Sequence, residues 1–176
     1  MADNILPSIK GQLLLAMPGL PDPNFAQAVV CICEHNEFGA LGLLINKIHP
    51  LLTGRELFED LEIKCDDNID KVQVYFGGPV QTSGVFILHG KPFKWQESLQ
   101  ITDNLALTNS KDILRAIATQ KGPELFMIIL GCAGWGPMQL DNELNEASWL
   151  ICPSTKDLIF NVKNEFKYEK AMMNIE

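Results

Sequence analysis

Cys31, Cys33 and His35 stand at alternate positions, so on an extended strand their side chains share one face and offer two sulfurs and a nitrogen. Those soft ligands suit zinc. Tetrahedral sites, however, combine C-x₂₋₄-C pairs with ligands from elsewhere, and no second pair accompanies this run. The reading with more support is a core strand whose thiols act as small apolar fillers, with His35 hydrogen-bonding at its end and no metal bound. Gly131-Cys132-Ala133-Gly134-Trp135-Gly136 follows an apolar run and precedes a helix opened by Pro137, where free amides could hold an anion. It lacks the Lys-Ser/Thr of a nucleotide-triphosphate loop and the order of G-x-G-x-x-G. At that turn Cys132 could be a nucleophile with a lowered pKa, with His35 or His89 as base. Ser83, Ser98 and Ser148 lack nucleophile-elbow flanks, His49 beside Pro50 reads as a loop residue, and Glu143 and Glu146 read as a solvated helix face. No complete catalytic set emerges, so catalytic residues stay unassigned, and no motif calls for a cofactor.

The tight turns are more informative than the reactive groups. Three Gly/Pro-rich islands, 17–25, 77–80 and 131–140, each abut an apolar run. Gly accepts positive φ and Pro fixes φ, so the chain reverses or approaches something closely there. The groups bordering them are the candidate ligand- or partner-binding residues: Asn24, Phe25, His35, Asn46, Gly77, Gly78, Pro79, His89, Gly134, Trp135, Gly136 and Gln139. For Asn24 and Asn46 the competing reading is local hydrogen bonding that closes turns.

The elements that must position these groups follow from periodicity. Residues 9–16 read as a strand stopped by Pro18. Runs 28–35 and 40–46 flank the turn Asn36-Glu37-Phe38-Gly39 and predict an antiparallel hairpin. Thr53 with Glu56 predicts a capped helix through Leu61. Strands are expected at 72–76 and 85–89, with two short edge strands at 97–101 and 104–108. A helix capped by Asn109 or Ser110 is expected to run through Gln120 until Lys121-Gly122-Pro123 stops it. Leu125 to Leu130 reads as a strand covered on both faces. A helix after Pro137 faces Leu140 and Leu144 inward, with Trp135 packed over its start. Residues 149–152 read as a last core strand and 163–173 as a C-terminal helix. Strands and helices mix without βαβ alternation, which favours α+β with a mixed sheet.

The chain has 176 residues, 47% hydrophobic and 20% charged, and shows no linker or repeat, so residues 1–176 are expected to form one domain. The balance of 14 Lys+Arg against 22 Asp+Glu gives a net charge of −8, which makes direct nucleic-acid or anionic-membrane binding a poor default. Five cysteines without secretory spacing read as reduced thiols of a cytoplasmic protein. Leu13-Leu14-Leu15-Ala16-Met17 is too short for a signal peptide, and Asp3 with a single Lys10 precedes it instead of a basic segment. No apolar run approaches the roughly 20 residues that span a bilayer.

Taken in order, several blocks closely resemble the bacterial YqgE/AlgH family. They are Gly11-Gln12-Leu13-Leu14-Leu15-Ala16-Met17-Pro18, Asp22-Pro23-Asn24-Phe25, Cys33-Glu34-His35-Asn36, Gly39-Ala40-Leu41-Gly42-Leu43-Leu44-Ile45-Asn46-Lys47, Tyr75-Phe76-Gly77-Gly78-Pro79-Val80, Leu88-His89, and Ala133-Gly134-Trp135-Gly136 through Gln139-Leu140 to Glu143-Leu144. The resemblance spans roughly residues 11–152. It implies a single α+β domain with a mixed, bifurcated sheet, part of it closed into a small barrel, surrounded by helices. It supplies no catalytic residues, and some members are described as transcriptional regulators. Two departures stand out: Gln81-Thr82-Ser83-Gly84 replaces an acidic-Arg-Gly stretch, and Met138 stands where relatives often place Gly.

The leading expectation is a non-enzymatic binding or regulatory module whose turn-rich face holds a small molecule or protein partner. The rivals are an enzyme using Cys132 and His35, and a transcriptional regulator acting on DNA directly or through a partner.

Overall fold

A computed structural model describes residues 7–175. Asp3 and both extremes of the expected 1–176 domain lie outside the described residues. The strands are β1 (Leu13–Ala16), β2 (Val29–Asn36), β3 (Gly39–Leu44), β4 (Val74–Phe76), β5 (Val80–His89), β6 (Ser98–Thr102), β7 (Leu105–Thr108), β8 (Phe126–Trp135) and β9 (Trp149–Cys152). The α-helices are α1 (Gly54–Asp60), α2 (Lys111–Ala118), α3 (Gln139–Asn145) and α4 (Lys167–Met173). A 3₁₀ turn, Asn164–Phe166, precedes α4, so the helix expected at 163–173 is α-helical only in its second part.

The strands form one sheet in the order β6-β7-β5-β8-β3-β2-β1-β9, with β4 off this path on β8. Every pairing is antiparallel except β4 with β8, so the sheet is mixed. β8 is where it forks. The first half of β8 pairs with β5 and β4, while Ala133–Trp135 pair with Ala40–Gly42 of β3. The closed barrel implied by the resemblance is not formed by hydrogen bonds, because the ladder among the described residues is open at β6 and β9.

Alternation along the strands sorts the apolar residues into three clusters. Leu13, Leu15, Cys31, Leu43, Leu88, Met127, Ile129 and Cys132 face a shared interior to which both arms of the fork contribute, and the segment from Leu158 to Ala171 closes it. Leu14, Val30, Ile32, Leu44, Ala133 and Trp135 face the other way under α3 and Ile9. On the second arm Ile87, Ile128 and Leu130 face outward under α1 and α2, which supply Leu57, Phe58, Ile113, Leu114 and Ile117. The hairpin at Asn36–Gly39 and the Thr53-capped helix form as expected. The Thr53 hydroxyl accepts from the Glu56 amide at 3.2 Å and donates to the Glu56 carboxylate at 3.0 Å.

The expected stop at Leu130 is the main correction to the sequence reading. The run Gly131–Trp135 is strand, not a strand-to-helix turn, so neither an anion cradle nor a helix terminus exists at Cys132. The glycines persist in the strand because another backbone crosses them. Gly131 adopts φ +80° and Gly78 φ +148°; a Cβ at Gly131 would fall 2.5 Å from Gly78 O, and one at Gly78 would fall 2.3 Å from Cys132 O. Gly77 joins the same crossing, donating its N–H to Leu130 O at 2.7 Å and accepting from Leu44 N at 2.9 Å.

His89, fully buried, stitches the far arm together. Its Nδ1–H donates to Gly90 O at 2.7 Å, which leaves Nε2 to accept from Thr108 Oγ1 at 2.7 Å, and Thr108 Oγ1 lies 2.7 Å from Ser98 Oγ. Burial pushes the imidazole below its ordinary value of 6.5, with the bond to Gly90 opposing in part.

Gly131→Ala should destabilise the chain by about 2 kcal/mol or more, because it combines a left-handed φ with a backbone collision; urea unfolding with an unchanged midpoint would refute the close crossing. The folded chain holds the His89 proton less tightly than the unfolded chain. The associated stability is therefore complete above about pH 6.5 and lost as the pH falls through the depressed native value. The stability gap between wild type and His89→Gln should shrink between about pH 7.5 and about pH 5.5. A gap independent of pH would mean that the buried imidazole does not resist protonation.

Candidate functional site

The first and third islands converge. Between the loop preceding β2 and α3 lies a cleft of about 330 Å³ lined by Leu20, Pro21, Asp22, Phe25, Gly134, Trp135, Gln139, Glu143, Glu146, Ser148 and Trp149. Pro23 and Asp22 shape its near wall. The Asp22 carboxylate accepts from the Asn24 amide at 2.9 Å and caps a 3₁₀ turn, Pro23–Phe25, which presents the Phe25 ring. Phe25 packs edge-on against Trp149 with ring centroids 5.5 Å apart, and Trp149 packs edge-on against Trp135 at 6.0 Å. Such edge-to-face pairs set the positive rim of one ring against the negative face of the next.

Glu143 organises the far wall. Its Oε1 accepts both indole N–H groups, Trp135 Nε1 at 3.0 Å and Trp149 Nε1 at 2.8 Å, while its Oε2 accepts from Gln139 Nε2 at 3.2 Å. Gln139 in turn accepts the Gly136 amide on Oε1 at 3.0 Å. One carboxylate thus fixes two aromatic walls by charge-assisted bonds. The local backbone supports this: Met138, at φ +62°, supplies the left-handed step into α3 that a glycine would take more cheaply. Asp22 and Glu146 add acidic groups, and among the described residues no Lys, Arg or His lines the cleft.

Of the residues expected to bind, Phe25, Gly134, Trp135 and Gln139 line this cleft, and Asn24 and Gly136 bond into its walls. The others lie elsewhere. Asn46 accepts from the Val29 amide at 2.9 Å and donates to Gln27 O at 2.9 Å, fastening the loop behind Phe25. Gly77 and Gly78 are buried in the crossing beneath β8, Pro79 is exposed beyond them, and His89 is in the other arm.

His35 hydrogen-bonds at the strand end as expected, but on the face opposite to the two cysteines. Ile32 faces Gly42 and Glu34 faces Leu41, so Cys33 is an unpaired bulge residue. The extra residue breaks the alternation. Cys31 and Cys33 face the shared interior, while His35 is carried to the opposite face of the sheet. There its Nδ1 accepts from the Ile9 amide at 3.1 Å, and its Nε2 donates to Asp141 Oδ1 at 3.0 Å. Both ring nitrogens are engaged, and the three potential zinc ligands do not share a face. Cys132, 1% exposed in the shared interior, has its thiol pushed up by burial, the opposite of an activated nucleophile. At Cys33, its hydrogen bond with Cys31 and then burial hold the thiol well above the ordinary range.

Three cleft or near-cleft groups escaped the sequence reading. From sequence Trp149 reads as core and Glu143 as a solvated helix face, and no motif singles out Asp141. A signal existed for Asp141, which adjoins Leu140 on the inward stripe of a helix that begins one residue earlier. A second hollow, about 350 Å³, lies between residues 66–72 and the turn at Gly122-Pro123 and contains none of the expected residues.

Comparison with known proteins places this geometry in a family. The AlgH-like family model matches residues 13–176. A UPF0301 protein of Desulforapulum autotrophicum is 59% identical over 95% of this chain and 88% of its own length, and one of Chromobacterium violaceum is 43% identical over 94% and 89%. The solution structure of the AlgH protein from Pseudomonas aeruginosa superposes with a TM-score of 0.84 at 38% identity, covering 97% of this chain and 92% of that one. The crystal structure of protein DIP2367 from Corynebacterium diphtheriae shares the fold, with a TM-score of 0.76 at 17% identity and coverage of 97% and 89%. A match over nearly the whole sequence, from family model, relatives and solved structure alike, means that this chain belongs to the AlgH-like family.

Proposed function

We propose that the chain is a non-enzymatic binding module of one domain whose cleft receives a basic side chain, Lys or Arg, from a protein partner. The observation that carries this reading is the composition of the cleft. Three aromatic rings stand beside Asp22, Glu143 and Glu146, with no cation among the lining residues. The faces of Trp and Phe attract a cation, worth about 0.5–2 kcal/mol depending on desolvation. An acidic rim steers it inward. The reactive side chains favour binding over catalysis: His35 is consumed by Ile9 and Asp141, and the Cys132 thiol is buried.

A regulatory role fits this reading through a protein partner more readily than through DNA, whose phosphates the net charge of −8 repels. The cytoplasmic location belongs to the same reading, and its support is five free cysteines, four of them buried. Among the described residues no helix is long and apolar enough to cross a membrane.

Tryptophan fluorescence tests the cleft directly. Arginine amide should shift the emission saturably, citrulline amide should not, and Glu146→Lys should weaken the response about tenfold. An equal response to the neutral analogue would overturn the reading. Glu143→Leu should destabilise the fold by about 2–3 kcal/mol, because two indole N–H donors lose a charged acceptor, and Glu143→Gln should cost less because it keeps an acceptor oxygen. Similar losses for the two variants, measured by urea unfolding, would refute that role.

A further inference from the structure

Lys167 opens α4 with its side chain inside the protein, at 2% exposure. Its Nζ donates to Ile45 O at 2.8 Å, lies 3.9 Å from Met127 Sδ, and stands 5.2 Å from the centroid of the Tyr75 ring. Among the described residues no carboxylate forms a salt bridge with it. An ammonium has three donors, and a buried cation without a counter-charge is costly. A carbonyl, a thioether and a ring face are weak compensation for that burial. Desolvation accordingly lowers the amine to about 8, which still leaves it mostly protonated near neutrality.

Beside it is a cavity of about 230 Å³ whose walls include Tyr75, Phe126, Met127, Phe160 and Lys167. Lys71 also lines it, and among the described residues no Asp or Glu does. In a chain with 22 acidic and 14 basic residues, a hollow lined by two lysines and no acid runs against the general field. The aromatic and aliphatic walls match an apolar body, and the unpaired ammonium matches a single negative head.

We propose that this cavity binds a small carboxylate with an apolar body, its carboxylate on Lys167 Nζ and its body between Tyr75, Phe126 and Phe160. The site is distinct from the aromatic cleft, which shares none of its residues. The carboxylate supplies the counter-charge that the described residues leave out, and the cavity walls discriminate by shape and hydrophobicity.

The test is NMR of the full chain with benzoate as probe, benzamide as its neutral twin and inorganic phosphate as an anion without a body. Benzoate should shift the Lys167 ε-methylene and the Tyr75 ring signals saturably, at millimolar concentration or below, while benzamide and phosphate should not. Lys167→Met, close in length and uncharged, should abolish the response and unfold at a higher temperature, since an unpaired buried charge is gone. Lys71→Glu, an exposed change that leaves the core intact, should weaken benzoate about threefold or more. Equal shifts with benzamide or phosphate, a response that survives in Lys167→Met, or an affinity untouched by Lys71→Glu would each overturn the proposal.

Discussion

β8 must satisfy hydrogen-bonding partners in two arms of one sheet, and it does so only because another backbone can lie directly on it at Gly131. The N–H and C=O groups of a buried strand cannot be left idle. Where the arms diverge, Gly77 donates to Leu130 O and accepts from Leu44 N, and any side chain at Gly131 or Gly78 would hold the two backbones apart. The shared interior, the outward clusters and the approach of Trp135 to the loop at Phe25 all inherit their positions from this crossing. The islands that look from sequence like exposed turns built for a ligand are in part the points where main chain meets main chain.

Much of this architecture is legible in the residues. The β2–β3 hairpin, the Thr53 cap, the apolar run from Leu125 to Leu130 that leads into β8 and the helix facing Leu140 inward depend on local spacing, which the chain carries on its face. The length of β8 does not. Glycines at Gly131 and Gly134 signal a break by propensity, and only β3 and the Gly77–Gly78 segment, distant in sequence, override it. The position of His35 was unreadable for a related reason. A single-residue bulge at Cys33 inverts every later side chain, and bulges leave little trace in hydrophobic alternation.

The candidate site was half visible. Phe25, Trp135 and Gln139 announced themselves by bordering Gly/Pro turns. Glu143 was read as solvated because two carboxylates on a helix usually are, yet the two indole donors converging on it make it the strut of the cleft. Which acidic group meets which aromatic one is a property of the tertiary arrangement and not of composition. The same holds for Lys167, since nothing in the alternation of Lys163, Glu165, Lys167 and Glu169 marks that one lysine as interior.

Charge is thereby sorted among the described residues: acidic groups gather with aromatic walls in one hollow, and two lysines without a carboxylate line another. The closure of the shared interior carries a further consequence. Lys167 donates to Ile45 O at 2.8 Å, Tyr168 to Ala16 O at 2.5 Å, and Ser154 to Gly11 O at 2.5 Å, each linking the last quarter of the chain to its first 45 residues. Until those residues leave the ribosome, β1 and β2 present bare apolar faces to solvent or to chaperones, so the nascent protein cannot complete its fold in step with its synthesis.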